Sequence, residues 1–235
     1  MTRGTALAKR ALDQYRGRLS AAEIAAGINA AAKNATRLLE DAKLLLEAKR
    51  FPSASSIAIL AIEEAGKKSM FREMATAKDD AALKMAWRRY RDHRAKNVTW
   101  IIGEFAKKGA KTMGDLLPIF DDTSDHPDVL DSVKQLGFYT DCYKKGYWSE
   151  PEVVVSEDLA RSMVSIAEIL CKQGHEVTER EIELWIEILG PHMGTPLMLD
   201  KLIEWHEAML QEGLTNRSIK DLKGFVFGEP KTGNH

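Results

Sequence analysis

The sequence predicts an all-α protein: a helical bundle with a small aromatic hairpin or loop insertion and extra helices at the C-terminal end. Three observations carry this. Long Ala/Leu/Glu/Lys segments run with few breaks, and only 7 prolines interrupt 235 residues. Apolar residues recur at helical spacing along several of these segments. One stretch, Phe51 to Met74 (FPSASSIAILAIEEAGKKSMFREM), is apolar in nearly every direction, the mark of a central helix packed on several sides.

Each element has its own signals. Residues 5–19 read as a short basic amphipathic helix. Ser20 followed by Glu23 is a capping box opening a long helix to about Lys49, whose early small residues (AAEIAAGINAAA) allow another helix to approach closely. The Phe51–Pro52 break returns the chain as the central helix, with Ser53 placed as its cap. A third helix is expected from about Ala81 to Lys108, a short one over 113–120, a turn at Asp125–Pro127, and a further helix over Val129–Leu136. The stretch KQLGFYTDCYKKGYWSEP then changes character. It reads as a β-hairpin or aromatic loop turning at Lys144-Lys145-Gly146, its rings either plugging the helical core or stacking on bases. Ser156 caps a helix to about Lys172, and Thr178 with Glu181 forms a second capping box for residues 179–189. Leu197–Gln211 is a last helix before a frayed tail, GFVFGEPKTGNH. The expected organisation is a helical domain over 1–172, a helical appendage over 173–228, and a flexible tail over 229–235.

Composition narrows the function. Hydrophobic residues make up 44% and charged residues 29% of the chain, ordinary for a globular protein. Net charge is −1, so any nucleic-acid site must be a local patch. Cys142 and Cys171 show neither metal-ligand spacing nor a disulfide framework. No Gly-rich phosphate loop, nucleophile elbow or metal-ligand pattern stands out, so no cofactor and no metal are expected. No apolar run is long enough to span a bilayer and no signal-peptide core opens the chain, so the expectation is no membrane and a cytoplasmic location.

Two clusters carry candidate chemistry. Charges within a central helix are costly unless paired, and this one holds Glu63, Glu64, Lys67 and Lys68. Glu63–Lys67 and Glu64–Lys68 both have the spacing of i,i+4 ion pairs with the acid first; the competing reading is a polar site facing a neighbouring helix. The third helix carries AWRRYRDHRAKN, with Arg88, Arg89, Arg91, Arg94 and Lys96 around His93. On one continuous helix His93 shares a face with Arg89, Lys96 and Asn97, while Arg88 lies roughly 140° away. Histidine suits proton transfer near neutral pH and arginine holds phosphate, so the pair fits metal-independent RNA cleavage; a solvated basic face is the plainer alternative.

IAILAIEEAGK in the second helix, RDHRAKN in the third and LGFYTDCYKKGYWSEP further on, in that order, resemble the AbiV family of bacterial abortive-infection proteins, itself similar to the HEPN superfamily of small helical domains. The resemblance spans roughly residues 30 to 172. It implies a HEPN-like bundle, a role in antiphage defence and frequent homodimerisation. Catalytic HEPN ribonucleases carry an Arg-x4-6-His motif completed by its copy on a second protomer, and Arg88-RYRD-His93 matches its shortest spacing. The residue after the motif arginine, often polar, is here Arg89, so either Arg88 or Arg89 takes the phosphate role beside catalytic His93. Glu63, Glu64 and Lys67 match the family's EE-x-GK pattern and form, with Lys96 and Asn97, the supporting polar cluster. Tyr139, Lys144, Lys145, Tyr147 and Trp148 are the candidate contacts for RNA or a partner. The function expected is an abortive-infection effector acting as an endoribonuclease. The alternative is a non-catalytic module that binds a phage or host protein.

Overall fold

A computed structural model describes residues 14–97, 100–101, 105, 109–116, 125–172 and 174–228. Its helices are α1 (Ala21–Glu47), α2 (Phe51–Ala75), α3 (Asp80–Arg91), α4 (His93–Lys96), α5 (His126–Phe138), α6 (Pro151–Val154), α7 (Glu157–Leu170), α8 (Glu179–Leu184), α9 (Met198–Gln211) and α10 (Ile219–Phe227). A two-stranded antiparallel hairpin, β1 (Cys142–Tyr143) and β2 (Tyr147–Trp148), is the one sheet among the described residues. The chain is all-α with this small insertion, as its sequence predicts.

α1 opens on the predicted capping box: Ser20 accepts from the Glu23 N–H, and the Glu23 carboxylate accepts in return from the Ser20 N–H at 2.8 Å. α1 packs antiparallel along α2, and Gly27 lets them meet. A Cβ there would fall 2.7 Å from the Phe71 ring. α2 starts earlier than expected, at Phe51 with Arg50 as its N-cap. Ser53 therefore lies inside the first turn and caps nothing, while Pro52 fits where N–H groups have no intrahelical partner.

α2 is the axis of the core. One side, with Ala58, Ile59, Ala61 and Ile62, packs against α1, Leu130 of α5 and Met163, Val164, Ile166 and Ala167 of α7. Farther along, Phe71 and Met74 join Ile24 and Ile28 of α1, Leu83 and Trp87 of α3, and Ile182 of α8. α5 comes close enough that a Cβ on Gly137 would sit 2.9 Å from the Pro52 carbonyl oxygen, and Ser56 Oγ donates to the Lys134 carbonyl at 3.1 Å. Leu184, Leu189, Trp205 and Met209 form a separate cluster among the C-terminal helices.

Several expectations are corrected. The described part of the N-terminal helix, residues 14–20, is not helical; Gly17 there offers its carbonyl to Trp87 Nε1 at 3.0 Å. Over 113–120 only a short 3-10 turn at 114–116 is described, the remainder lying outside the described residues together with 121–124. Pro127 begins α5 instead of marking a turn. The tail segment containing GFVF is helical as far as Phe227 in α10, capped by Ser218. The third helix breaks at Asp92, whose backbone is extended (φ −83°, ψ 120°), and His93 starts a new short helix. The hairpin forms where predicted, with Cys142 opposite Trp148, but Tyr139, Tyr143, Tyr147 and Trp148 are exposed and do not plug the core.

Candidate functional site

The break at Asp92 is what builds the site. It ends α3 and starts α4, bringing His93 over the middle of α2. There His93 Nδ1 lies 2.7 Å from Glu63 Oε2; the histidine side chain is 60% exposed and the glutamate side chain 4% exposed. The other carboxylate oxygen, Oε1, receives Lys134 Nζ at 2.5 Å, and Asp131 Oδ1 holds the same ammonium at 2.8 Å. A carboxylate paired with an ammonium accepts and does not donate. The proton of this bond therefore sits on Nδ1, and in the neutral ring Nε2 carries the free lone pair.

Glu63 thus pairs with neither Lys67 nor any other residue of its own helix. Lys67 bonds Glu64 at i,i+3 instead, and Lys68 has no carboxylate partner among the described residues. The ammonium of Lys67 lies over the Tyr90 ring, 5.3 Å from its centroid, and that of Lys96 is 5.9 Å from the same ring. Lys96 is buried, and desolvation lowers its pKa; Lys67 adds repulsion that Glu63 and Glu64 offset in part. Lys134 titrates above the ordinary lysine range. Burial opposes its charge, but Asp131 and Glu63 outweigh that penalty. Asn97 is fully buried, its Nδ2 donating to the Pro127 carbonyl at 3.3 Å while its Oδ1 has no partner.

Of the supporting residues expected from sequence, Glu63 bonds His93 directly, Lys67 and Lys96 share the Tyr90 ring, Glu64 is paired with Lys67, and Asn97 follows α4. The arginines do not join them within one chain. Arg89 pairs with Glu73 at 3.1 Å on the surface. Arg88 lines a separate cleft of about 620 Å³ with Arg16, Arg18, Lys84, Trp87 and Arg91. The hairpin residues Tyr139, Lys144, Lys145, Tyr147 and Trp148 are all exposed, and Tyr139 and Tyr143 line a surface pocket with Asp131.

Sequence reasoning missed Lys134. Its signal is present: Leu130, Lys134 and Gly137 share the buried face of α5, so a lysine stands in an apolar stripe. Among the described residues no group of three or more His, Cys, Asp or Glu is arranged to hold a metal ion. No described helix is long and apolar enough to cross a membrane.

The family model of AbiV, a HEPN-type family, matches residues 23–172, well over half of the chain. The chain belongs to the AbiV family. No curated protein and no solved structure matches it significantly. In this AbiV-family protein the matched region runs from the first turn of α1 to just past α7, so it contains Glu63, His93, Lys134 and the hairpin, while α8 to α10 lie beyond it.

Proposed function

We propose that this AbiV-family protein is an abortive-infection antiphage effector that cleaves RNA without metal, with His93 as general acid/base and Arg88 of a second copy binding the scissile phosphate. The observation that supports this best is the half-exposed His93, held on one nitrogen by buried Glu63 with the other turned away from that bond. Nε2 takes the proton of a ribose 2′-hydroxyl as its oxygen attacks phosphorus. The bond from phosphorus to the 5′-oxygen breaks, and that oxygen leaves with a proton returned by the imidazolium. The products are a 2′,3′-cyclic phosphate and a 5′-hydroxyl. Lys96 supplies positive charge beside the reacting phosphate. Arg88 is preferred to Arg89 because Arg89 is engaged by Glu73, whereas Arg88 lines an open cleft with four other cationic side chains.

The test uses purified full-length protein, chelator and labelled RNA. Cleavage leaving cyclic-phosphate ends is expected from wild type and absent from His93→Ala. A homodimer with composite sites adds a sharper outcome. His93→Ala and Arg88→Ala proteins, each inactive alone, regain activity when mixed, because the mixed dimer rebuilds one intact site. Cleavage by folded His93→Ala at the wild-type rate contradicts the proposal.

One observation favours a second reading, in which the protein binds a phage or host protein and cuts nothing. The hairpin exposes Tyr143, Tyr147 and Trp148 together, with Tyr139 beside them, and aromatic residues are enriched in protein interfaces. Under that reading Trp148→Ala removes partner binding and defence while no RNA product appears in infected cells.

A further inference from the structure

A cavity of about 460 Å³, whose lining does not include His93, lies between α1, α2, the end of α7 and the segment that follows it. Its walls include Ile28, Ala31, Ala65, Leu170 and Val177, and the alanines leave the space that larger residues would fill. Val177 and His175 beside it are hydrogen-bonded to the helices. Asn29 Nδ2 donates to the Val177 carbonyl at 2.8 Å and its Oδ1 accepts from the Val177 N–H at 2.9 Å. His175 is held to Glu181 at 2.7 Å. The cavity is therefore part of the packed structure, with a volume in the range of small-molecule sites.

Its charge is one-sided. Lys33, Lys68 and Lys172 line it, none in ion-pair contact with a carboxylate among the described residues, although Glu181 attracts Lys68 from farther away. Of the two lining carboxylates, Glu64 is bound to Lys67, leaving Glu176. Cys171 adds no charge: burial pushes its thiol up to about 11, and its Sγ donates to the Ala61 carbonyl at 3.6 Å. Lys68 stands at the α2 wall, where desolvation, and then the Arg72 guanidinium one turn on, lower its pKa, opposed in part by the Glu181 carboxylate. An oxyanion beside the ammonium would offset both penalties.

We propose that this cavity binds a small molecule with an oxyanion head, carboxylate or phosphate, on a compact apolar body. Lys68 receives the head and the wall of Ile28, Ala31, Ala65 and Leu170 receives the body. The site is separate from His93 and does not depend on RNA cleavage. The two share only α2, where Glu64 lines the cavity and its partner Lys67 reaches the Tyr90 ring.

The experiment is isothermal titration calorimetry of the full-length protein with 2-naphthoate, 2-naphthyl phosphate and neutral 2-naphthol. Saturable one-to-one binding of at least one anion is expected, about tenfold or more tighter than that of the naphthol. The tighter anion identifies the head the site prefers. Lys68→Gln should weaken the anions about tenfold and leave the naphthol unchanged. Ala65→Phe, which fills the cavity, should abolish binding of all three, and Lys220→Gln on α10 should change nothing. Thermal melts check that the variants fold, and Lys68→Gln decides alone if Ala65→Phe does not. Absence of saturable anion binding, naphthol binding as tight as the anions, or anion affinity unchanged in folded Lys68→Gln overturns the proposal.

Discussion

Glu63 and Glu181 are built alike and surrounded differently. Both side chains are almost wholly buried, and each is bonded to one partly exposed histidine and one mostly buried cation. Glu63 has His93 at 2.7 Å and Lys134 at 2.5 Å; Glu181 has His175 at 2.7 Å and Arg72 at 2.6 Å. Around Glu181 the cation is packed against aromatic rings, while His175 lines the cavity beside α1. The Arg72 guanidinium lies over the rings of Trp185 and Trp205, 4.7 and 5.2 Å from their centroids, and Trp205 Nε1 donates to the Glu181 carbonyl. That triad fastens α8 and α9 to α2. Around Glu63 there are further cations, Lys67 and Lys96, and an orphaned acceptor, Asn97 Oδ1. A buried His–Glu–cation triad is therefore not in itself a sign of chemistry. Nor is an unpartnered polar atom, since Arg72 Nε and Trp185 Nε1 beside Glu181 lack partners among the described residues as Asn97 Oδ1 does. What distinguishes the first is its place: Glu63, His93 and Lys134 lie within the region the AbiV family model matches, whereas His175 and Glu181 lie beyond it.

The largest expected difference is in activity. Loss of His93 should lower RNA cleavage by roughly 10²–10⁴-fold, the usual worth of a general acid/base, and should cost about 1–3 kcal/mol of stability because buried Glu63 loses one of its two partners. Next is stability at the second triad. Glu181→Ala should cost about 3–5 kcal/mol, because it leaves Arg72 buried without its carboxylate. Urea melts followed by tryptophan fluorescence would measure this, and cleavage under native conditions should persist.

The smallest effect has the opposite sign. Lys96→Met should stabilise the protein by on the order of 1 kcal/mol at pH 7, since a buried ammonium among other lysines is replaced by an apolar chain. The folded pKa of Lys96 lies below the ordinary 10.5, so the cost of its charge is present below that folded value and is relieved as pH rises through it. The advantage of Lys96→Met should accordingly shrink as pH is raised toward the ordinary 10.5, and cleavage should fall in the same variant. A stabilised variant with undiminished cleavage would remove Lys96 from the site.

Much of the fold was legible because its signals are local. The Ser20–Glu23 capping box, the all-round apolar central helix and the Lys144-Lys145-Gly146 turn depend on neighbours in sequence. The failures depend on tertiary contacts. Nothing at Asp92 resembles a helix stop, with no glycine or proline beside it, yet the break there re-aims His93 toward Glu63. Thr178 and Glu181 looked like a reciprocal capping box. Thr178 does accept from the Glu181 N–H, but the Glu181 carboxylate turns to Arg72 and His175. The i,i+4 spacing of Glu63 and Lys67 suggested an intrahelical pair, whereas Glu63 was claimed by a lysine 71 positions away. Pairing rules on one helix rank below a buried charge reaching in from another element.

The most direct test places the two triads side by side. His93→Ala and His175→Ala proteins are induced in cells in parallel, and RNA integrity and growth arrest are followed against wild type. His93→Ala should leave RNA intact and growth unarrested at temperatures where it is folded. His175→Ala should lower the melting temperature and still cut RNA at temperatures where it is folded. RNA fragmentation and arrest undiminished in folded His93→Ala would contradict the account.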